Sequence, residues 1–126
     1  MPKLLNALLQ QGIKANPDDA AMPYNLALAY IRQGNKADAA IQLETATKLA
    51  PRNSHYFYVY GLTLEQQSAT DAYKALTSAY KLSHNPQHLY ALCEMQTRHK
   101  SPLANQCIAK LTPLVPANVI QGLKQL

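Results

Sequence analysis

The sequence predicts an all-helical protein built as a repeat array, and three observations carry that expectation. Ala, Leu and Gln, all good helix formers, dominate the composition, whereas β-branched residues are few and never alternate as a half-buried strand would require. Apolar residues recur instead at spacings of three and four over successive windows. The stretch Ala20–Asn53 is then echoed by the stretch that begins at Ser54, and Pro17, Pro51 and Pro86 lie 34 and 35 residues apart. A two-helix unit of that length cannot bury its own apolar face, so neighbouring units must stack and share a core. Function in such an array is expected on a surface rather than in a reaction centre.

The elements follow in order. Leu4, Leu5, Leu8, Leu9 and Ile13 form one stripe and predict a first helix within 3–16. It ends at Asn16-Pro17, because the residue before proline is pushed out of the helical region. This helix has no partner before it and reads as the second helix of a unit whose first is missing. Asp18 and Asp19 offer a cap and negative charge to the next helix start. The first complete unit, 20–53, has a leading helix of about Ala20 to Gln33 with Leu26, Ala27 and Tyr30 on its stripe. Gly34 supplies the positive-φ stop, and a second helix of about Ala37 to Leu49 places Ala39, Leu43, Ala46 and Leu49 together. The small residues let the two helices approach closely, with Tyr30 and Leu43 filling the space between. The second unit, 54–86, repeats the pattern with Phe57, Tyr60, Gly61 and Leu64, a turn at Ser68-Ala69-Thr70, then Ala72, Leu76 and Ala79. Gly61 is the small residue expected at its close crossing.

The third unit, 87–116, is the most worn. Leu89, Leu92 and Cys93 repeat the first stripe, and Ala104, Ile108 and Leu111 repeat the second. No glycine marks the turn at His99-Lys100-Ser101-Pro102, although Pro102 suits the first turn of a helix. Thr112-Pro113 breaks that helix early. Residues 117–126 form a short last helix with Val119, Ile120, Leu123 and Leu126, which either caps the array or begins a fourth unit.

Ala20–Asn53 resembles the tetratricopeptide repeat, whose pattern is aromatic-x2-Leu-Gly-x2-Tyr, then Ala-x3-Phe, then Ala and Pro. The matching positions read Pro23-x2-Leu26-Ala27-x2-Tyr30, Ala39-x3-Leu43, Ala46 and Pro51. The second unit gives Phe57-x2-Tyr60-Gly61-x2-Leu64, Ala72-x3-Leu76 and Ala79; the third keeps Leu89-x2-Leu92-Cys93 and Ala104-x3-Ile108. The resemblance implies a right-handed superhelical array of about three helix pairs with partial units at both ends. It also implies a protein-interaction module without a cofactor. The run Tyr56–Leu62, followed later by Leu89-Tyr90-Ala91-Leu92, is further similar to repeat modules near the C-terminal ends of larger bacterial proteins, some of them exported multihaem cytochromes. This chain itself has no C-x-x-C-H haem-attachment motif.

In that family the first helices of successive units line a concave surface that binds peptides. Carried onto this sequence, the inward positions are Tyr24, Asn25, Leu28 and Arg32 in the first unit. In the second they are His55, Tyr58, Val59, Leu62 and Gln66, and in the third Gln87, Tyr90, Ala91, Glu94 and Arg98. Tyr24, Tyr58 and Tyr90 are equivalent and would form a ladder of rings across the groove; alternatively these rings pack against neighbouring helices. One subtype clamps the C-terminal carboxylate of chaperone tails with Lys and Asn. Asn25 fits that clamp, but Tyr24 and Val59 replace two of its members, so it is not expected here. The alternative to a peptide groove is a structural spacer within a larger solenoid or multidomain protein, self-associating through exposed end helices.

Several other function classes find little support. The net charge of +5 is concentrated late: residues 1–70 carry six Lys/Arg against five Asp/Glu, and residues 71–126 carry six against two. No two basic residues are adjacent, so the stripe expected of a nucleic-acid binder is missing. No window reaches the ~18 apolar residues of a membrane span, and Met1–Leu5 does not read as a signal peptide. His84 and His88 are four apart, but Asn85-Pro86 prevents one helix from presenting both to a metal; His55 and His99 stand alone. No Ser-His-Asp arrangement, phosphate-binding glycine loop or H-E-x-x-H occurs, and an enzyme is not expected. Cys93 and Cys107 lie seven residues either side of Lys100, at the same height in an antiparallel helix pair. They are either a disulfide, which requires an oxidising compartment and would favour the periplasm over the cytoplasm, or two small buried residues at a helix contact.

Overall fold

The computed structural model describes residues 2–126. These form eight α-helices and one short 3-10 turn, with no strand among the described residues. The helices are α1 (Pro2–Ala15), α2 (Ala21–Arg32), α3 (Lys36–Leu49), α4 (Ser54–Leu64), α5 (Ala69–Ser83), α6 (Pro86–Arg98), α7 (Ala104–Leu111) and α8 (Ala117–Lys124). Consecutive helices pack on one another from α1 to α7, and α8 folds back onto α6.

Local chemistry sets most of the boundaries. Asn35, Asn53, Ser68 and Asn85 cap α3, α4, α5 and α6, each accepting a main-chain N–H from the first turn. The Asp19 carboxylate accepts from Ala21 N–H at 3.0 Å and serves the start of α2. Because Ser68 is itself a cap, the turn between α4 and α5 falls over Glu65–Ser68, earlier than the Ser68-Ala69-Thr70 expected from the sequence. Pro102 likewise lies in the turn before α7 rather than in its first turn, since α7 begins only at Ala104. Pro113 does end α7, and Thr112–Leu114 tightens into a 3-10 turn.

The crossing of α4 and α5 depends on a missing side chain. A Cβ at Gly61 would lie 2.7 Å from Leu76 Cγ and 3.1 Å from the Ala72 carbonyl oxygen, so any larger residue would force the helices apart. Ala27, Ala39 and Ala46 are likewise fully buried, and Leu43 is buried among them. Two apolar clusters result. A small one joins Ala27, Ala39 and Leu43, with Tyr30 and Tyr60 packed against it. A larger one runs from Leu64 and Leu76 through Leu89, Cys93 and Met95 to Leu111 and Leu123. Five residues of the predicted stripes stay outside. Leu49 and Leu126 are exposed because no helix covers their side of α3 or the end of α8, and Leu4, Leu5 and Leu8 leave a face of α1 in solvent.

Candidate functional site

Helices α2, α4 and α6 are the leading helices of successive pairs, and the inward positions expected from the sequence lie along them, except Gln66, which falls in the turn after α4. Asn25, Arg32, His55, Leu62, Gln66 and Gln87 are exposed, and Tyr24, Leu28, Tyr58, Val59, Tyr90 and Glu94 are half-buried. Ala91 is buried and forms part of the larger core. The half-buried side chains among these therefore stand with one edge on the core and one edge on the surface.

The rings do not follow one another as Tyr24, Tyr58 and Tyr90. Side chains reaching out from the helix axes do bring rings of adjacent leading helices within the ~4.5–7 Å of an aromatic contact, but at other positions. Histidines and a further tyrosine fill the intervals. Tyr56 stacks on Tyr24 at 4.5 Å, Tyr24 meets His55 edge-on at 5.8 Å, His55 faces Tyr58 at 6.3 Å, and Tyr58 stacks on His88 at 4.7 Å. The Tyr24 hydroxyl and His55 Nε2 are hydrogen-bonded at 2.9 Å, tying α2 to α4. Burial, and to a lesser degree the neighbouring Tyr56, holds the Tyr24 phenol above its ordinary pKa.

His88 is fixed from behind. The Ser83 hydroxyl donates to the Ala79 carbonyl, and its oxygen accepts from Asn85 N–H and pairs with His88 Nδ1 at 2.8 Å. His88 therefore anchors the N-terminal end of α6 to the C-terminal end of α5. His84, four residues earlier, ends α5 in the left-handed conformation at φ 55°, so the two imidazoles belong to different elements. Tyr56 and His88 are the members of the row that sequence reasoning missed. The signal for Tyr56 was the consecutive Tyr56-Phe57-Tyr58; no local pattern marks His88.

The other end of the surface is polar. Glu65, at the C-terminal end of α4, accepts from Arg98 at 3.3 Å and is paired with His99 Nε2 at 2.8 Å. Arg98 also lies 3.8 Å from Glu94, to which the Tyr90 hydroxyl donates at 3.2 Å. Desolvation, reinforced by the Glu94 carboxylate, raises the Tyr90 pKa. Glu94 and Arg98 are thus members of a bridge between α4 and α6. Between Tyr90 and the last helix lies an open groove of about 510 Å³, walled by Pro86, Val115, Val119 and Gly122.

Cys93 and Cys107 are joined across α6 and α7, with Cα atoms 5.3 Å apart. No group of three or more His, Cys, Asp or Glu side chains capable of holding a metal ion occurs among the described residues. Among the described residues, no helix is long and apolar enough to cross a membrane.

Stacked antiparallel helix pairs with a continuous row of leading helices define a helical-repeat scaffold. Residues 6–61 match the model of the tetratricopeptide repeat family. A crystal structure of MamA superposes with a TM-score of 0.73 at 19% identity, covering 82% of this chain and 61% of that one. This chain therefore spans about three-fifths of the MamA chain, and the likeness is one of fold. No curated protein matches the sequence. The family match over residues 6–61 and the shared architecture support a tetratricopeptide repeat reading of that stretch and a repeat fold for the chain; repeats of that family generally mediate protein–protein interaction.

Proposed function

We propose that this array binds a peptide or partner protein along the surface lined by Tyr24, Tyr58 and Tyr90. The observation that carries this reading is the row of rings from Tyr56 to His88, its tyrosines half-buried, fixed by stacking and hydrogen bonds. Rings already held in one orientation lose little entropy on binding, and Tyr offers apolar area beside a hydroxyl. The adjoining groove at Tyr90 has apolar walls suited to one aliphatic or aromatic anchor of an extended or helical peptide. The unit boundaries 20–53, 54–86 and 87–116 belong to the same reading, because each would contribute one leading helix to that surface.

The test uses peptides selected from a displayed library against the wild-type chain. Tyr58→Ala and Tyr90→Ala should each weaken the selected peptides about tenfold or more, the scale of an interface anchor, with helicity unchanged by circular dichroism. Equal affinity for wild type and both variants would instead favour a structural spacer. The exposed Leu4, Leu5 and Leu8 on α1 favour a second reading, packing against another copy or a neighbouring domain through that end. Sedimentation at increasing concentration separates the two: a monomer throughout argues against self-association.

A further inference from the structure

On the side of α6 away from Tyr90 and Glu94 there is a second concavity. Residues two apart on a helix point about 200° apart, so Leu92 and Gln96 face opposite to Tyr90 and Glu94. They face the trailing helices α5 and α7, and the three helices line a partly open cavity of about 300 Å³. That is the lower end of the size range of small-ligand pockets, ~300–1,000 Å³. Leu89, Leu92, Leu103 and Tyr80 supply apolar walls, and Lys81 and Lys110 contribute the only charged side chains in the lining. Both lysines are exposed, and neither takes part in an ion pair among the described residues.

The wall also contains Gln96, which is 4% exposed. Its side-chain oxygen is fully buried and meets no hydrogen-bond donor, the one such side-chain atom among the described residues. Buried polar atoms are nearly always paired, so an unpaired one calls for a partner. The terminal amide torsion of Gln is broad, so rotation about it would bring this oxygen to a ligand in the cavity.

We infer that this cavity, separate from the aromatic row, is a binding site for a small aromatic carboxylate bearing a ring O–H or N–H. The ring lies between the leucines, the ring donor reaches Gln96 Oε1, and the carboxylate meets Lys81 and Lys110 at the rim. Each ligand feature answers one feature of the site: an unpaired acceptor within, apolar walls, and cations with no carboxylate beside them.

The probe is 3-(4-hydroxyphenyl)propionate, compared with 3-phenylpropionate, which lacks the donor, and with 4-hydroxyphenethyl alcohol, which lacks the acid. Binding is followed by amide chemical-shift titration of the full 126-residue chain. The first probe should shift Leu89, Leu92, Leu103 and Gln96 and bind at least fivefold more tightly than either comparison compound. Lys81→Ala with Lys110→Ala, both surface changes, should abolish the advantage of the acid over the alcohol. Gln96→Leu should abolish the advantage of the phenol over the phenyl compound while preserving the apolar volume. Shifts confined to Tyr58 and Tyr90, no shifts at millimolar probe, or equal binding of all three compounds would overturn the assignment. So would an unaltered preference in the lysine variant, which stands even if Gln96→Leu fails to fold.

Discussion

The first and last complete helix pairs of the array, α2–α3 and α6–α7, invert what their sequences suggest. The pair α2–α3 carries the most regular repeat pattern, yet its apolar cluster joins only Ala27, Ala39 and Leu43. The pair α6–α7 has lost its turn glycine and its aromatic, yet it lies in the larger cluster and is tied by Cys93–Cys107. The difference teaches that a repeat motif reports how two helices of one unit fit together. How much core they share depends on what lies on either side. Helix α6 is covered by α5, α7 and α8, whereas α1, which flanks α2, leaves Leu4, Leu5 and Leu8 uncovered.

The largest expected effect tests that inversion directly. Cys93 and Cys107 are separated by 14 residues, and closing a loop of that size stabilises by about 3 kcal/mol in the chain-entropy model. Reducing the oxidised protein should lower its unfolding free energy by that order. The loss should fall on α6–α7, read as faster amide exchange there than in α2–α3. Uniform acceleration along the chain would show that the two ends unfold as one unit and that the asymmetry is static only.

A smaller effect compares the two turns. Both pairs close with the same main-chain bonds: Asn35 N–H to Tyr30 O at 2.8 Å, and Ser101 N–H to Gln96 O at 2.8 Å. Both place the residue before that donor in the left-handed region, Gly34 at φ 78° and Lys100 at φ 54°. Only glycine reaches that region without a Cβ penalty of about 1–2 kcal/mol. Gly34→Ala should therefore cost about 1–2 kcal/mol by strain alone, since its Cβ would meet nothing within 4 Å. Lys100→Gly should gain about 1 kcal/mol. Urea titration of the two variants measures both, and a loss at Lys100→Gly would mean the lysine side chain contributes something its geometry does not reveal.

The smallest effect is alkaline. Burial is the leading cause that raises the phenol pKa of Tyr24 and Tyr60 beside the first pair, and of Tyr73 and Tyr90 beside the last. Above the ordinary tyrosine pKa of about 10 the unfolded chain releases protons that the folded chain retains, so stability is full below that pH and falls as pH rises through the folded values. Melting temperatures between pH 9 and 11.5 should decline, and Tyr24→Phe and Tyr90→Phe should each flatten the decline. If only one of them does, alkaline loss starts at that end.

Much of the fold was legible from the chain alone. Helix starts at Asn35, Asn53 and Asn85 and the break at Pro113 depend on residues within one turn of the boundary. The positive φ at Gly34 and the close crossing at Gly61 follow from the absence of a side chain. The boundaries that shifted, at Ser68 and Pro102, are those where a cap or a turn could be placed one to three residues either way. The candidate site was less legible. Its helices and its tyrosines could be named, but the places of Tyr56 and His88 could not, nor could the engagement of Glu94 and Arg98 with Glu65.

The sequence by itself determined the helices, the period near 34 residues and the faces that turn inward, because backbone sterics and apolar spacing act over a few residues. Only the tertiary structure decided which rings meet, which charges bridge α4 to α6, and which pair of helices owns the larger core. Those outcomes rest on the offset between successive helices, a distance of several ångströms set by all the packed side chains together and written at no single position in the chain.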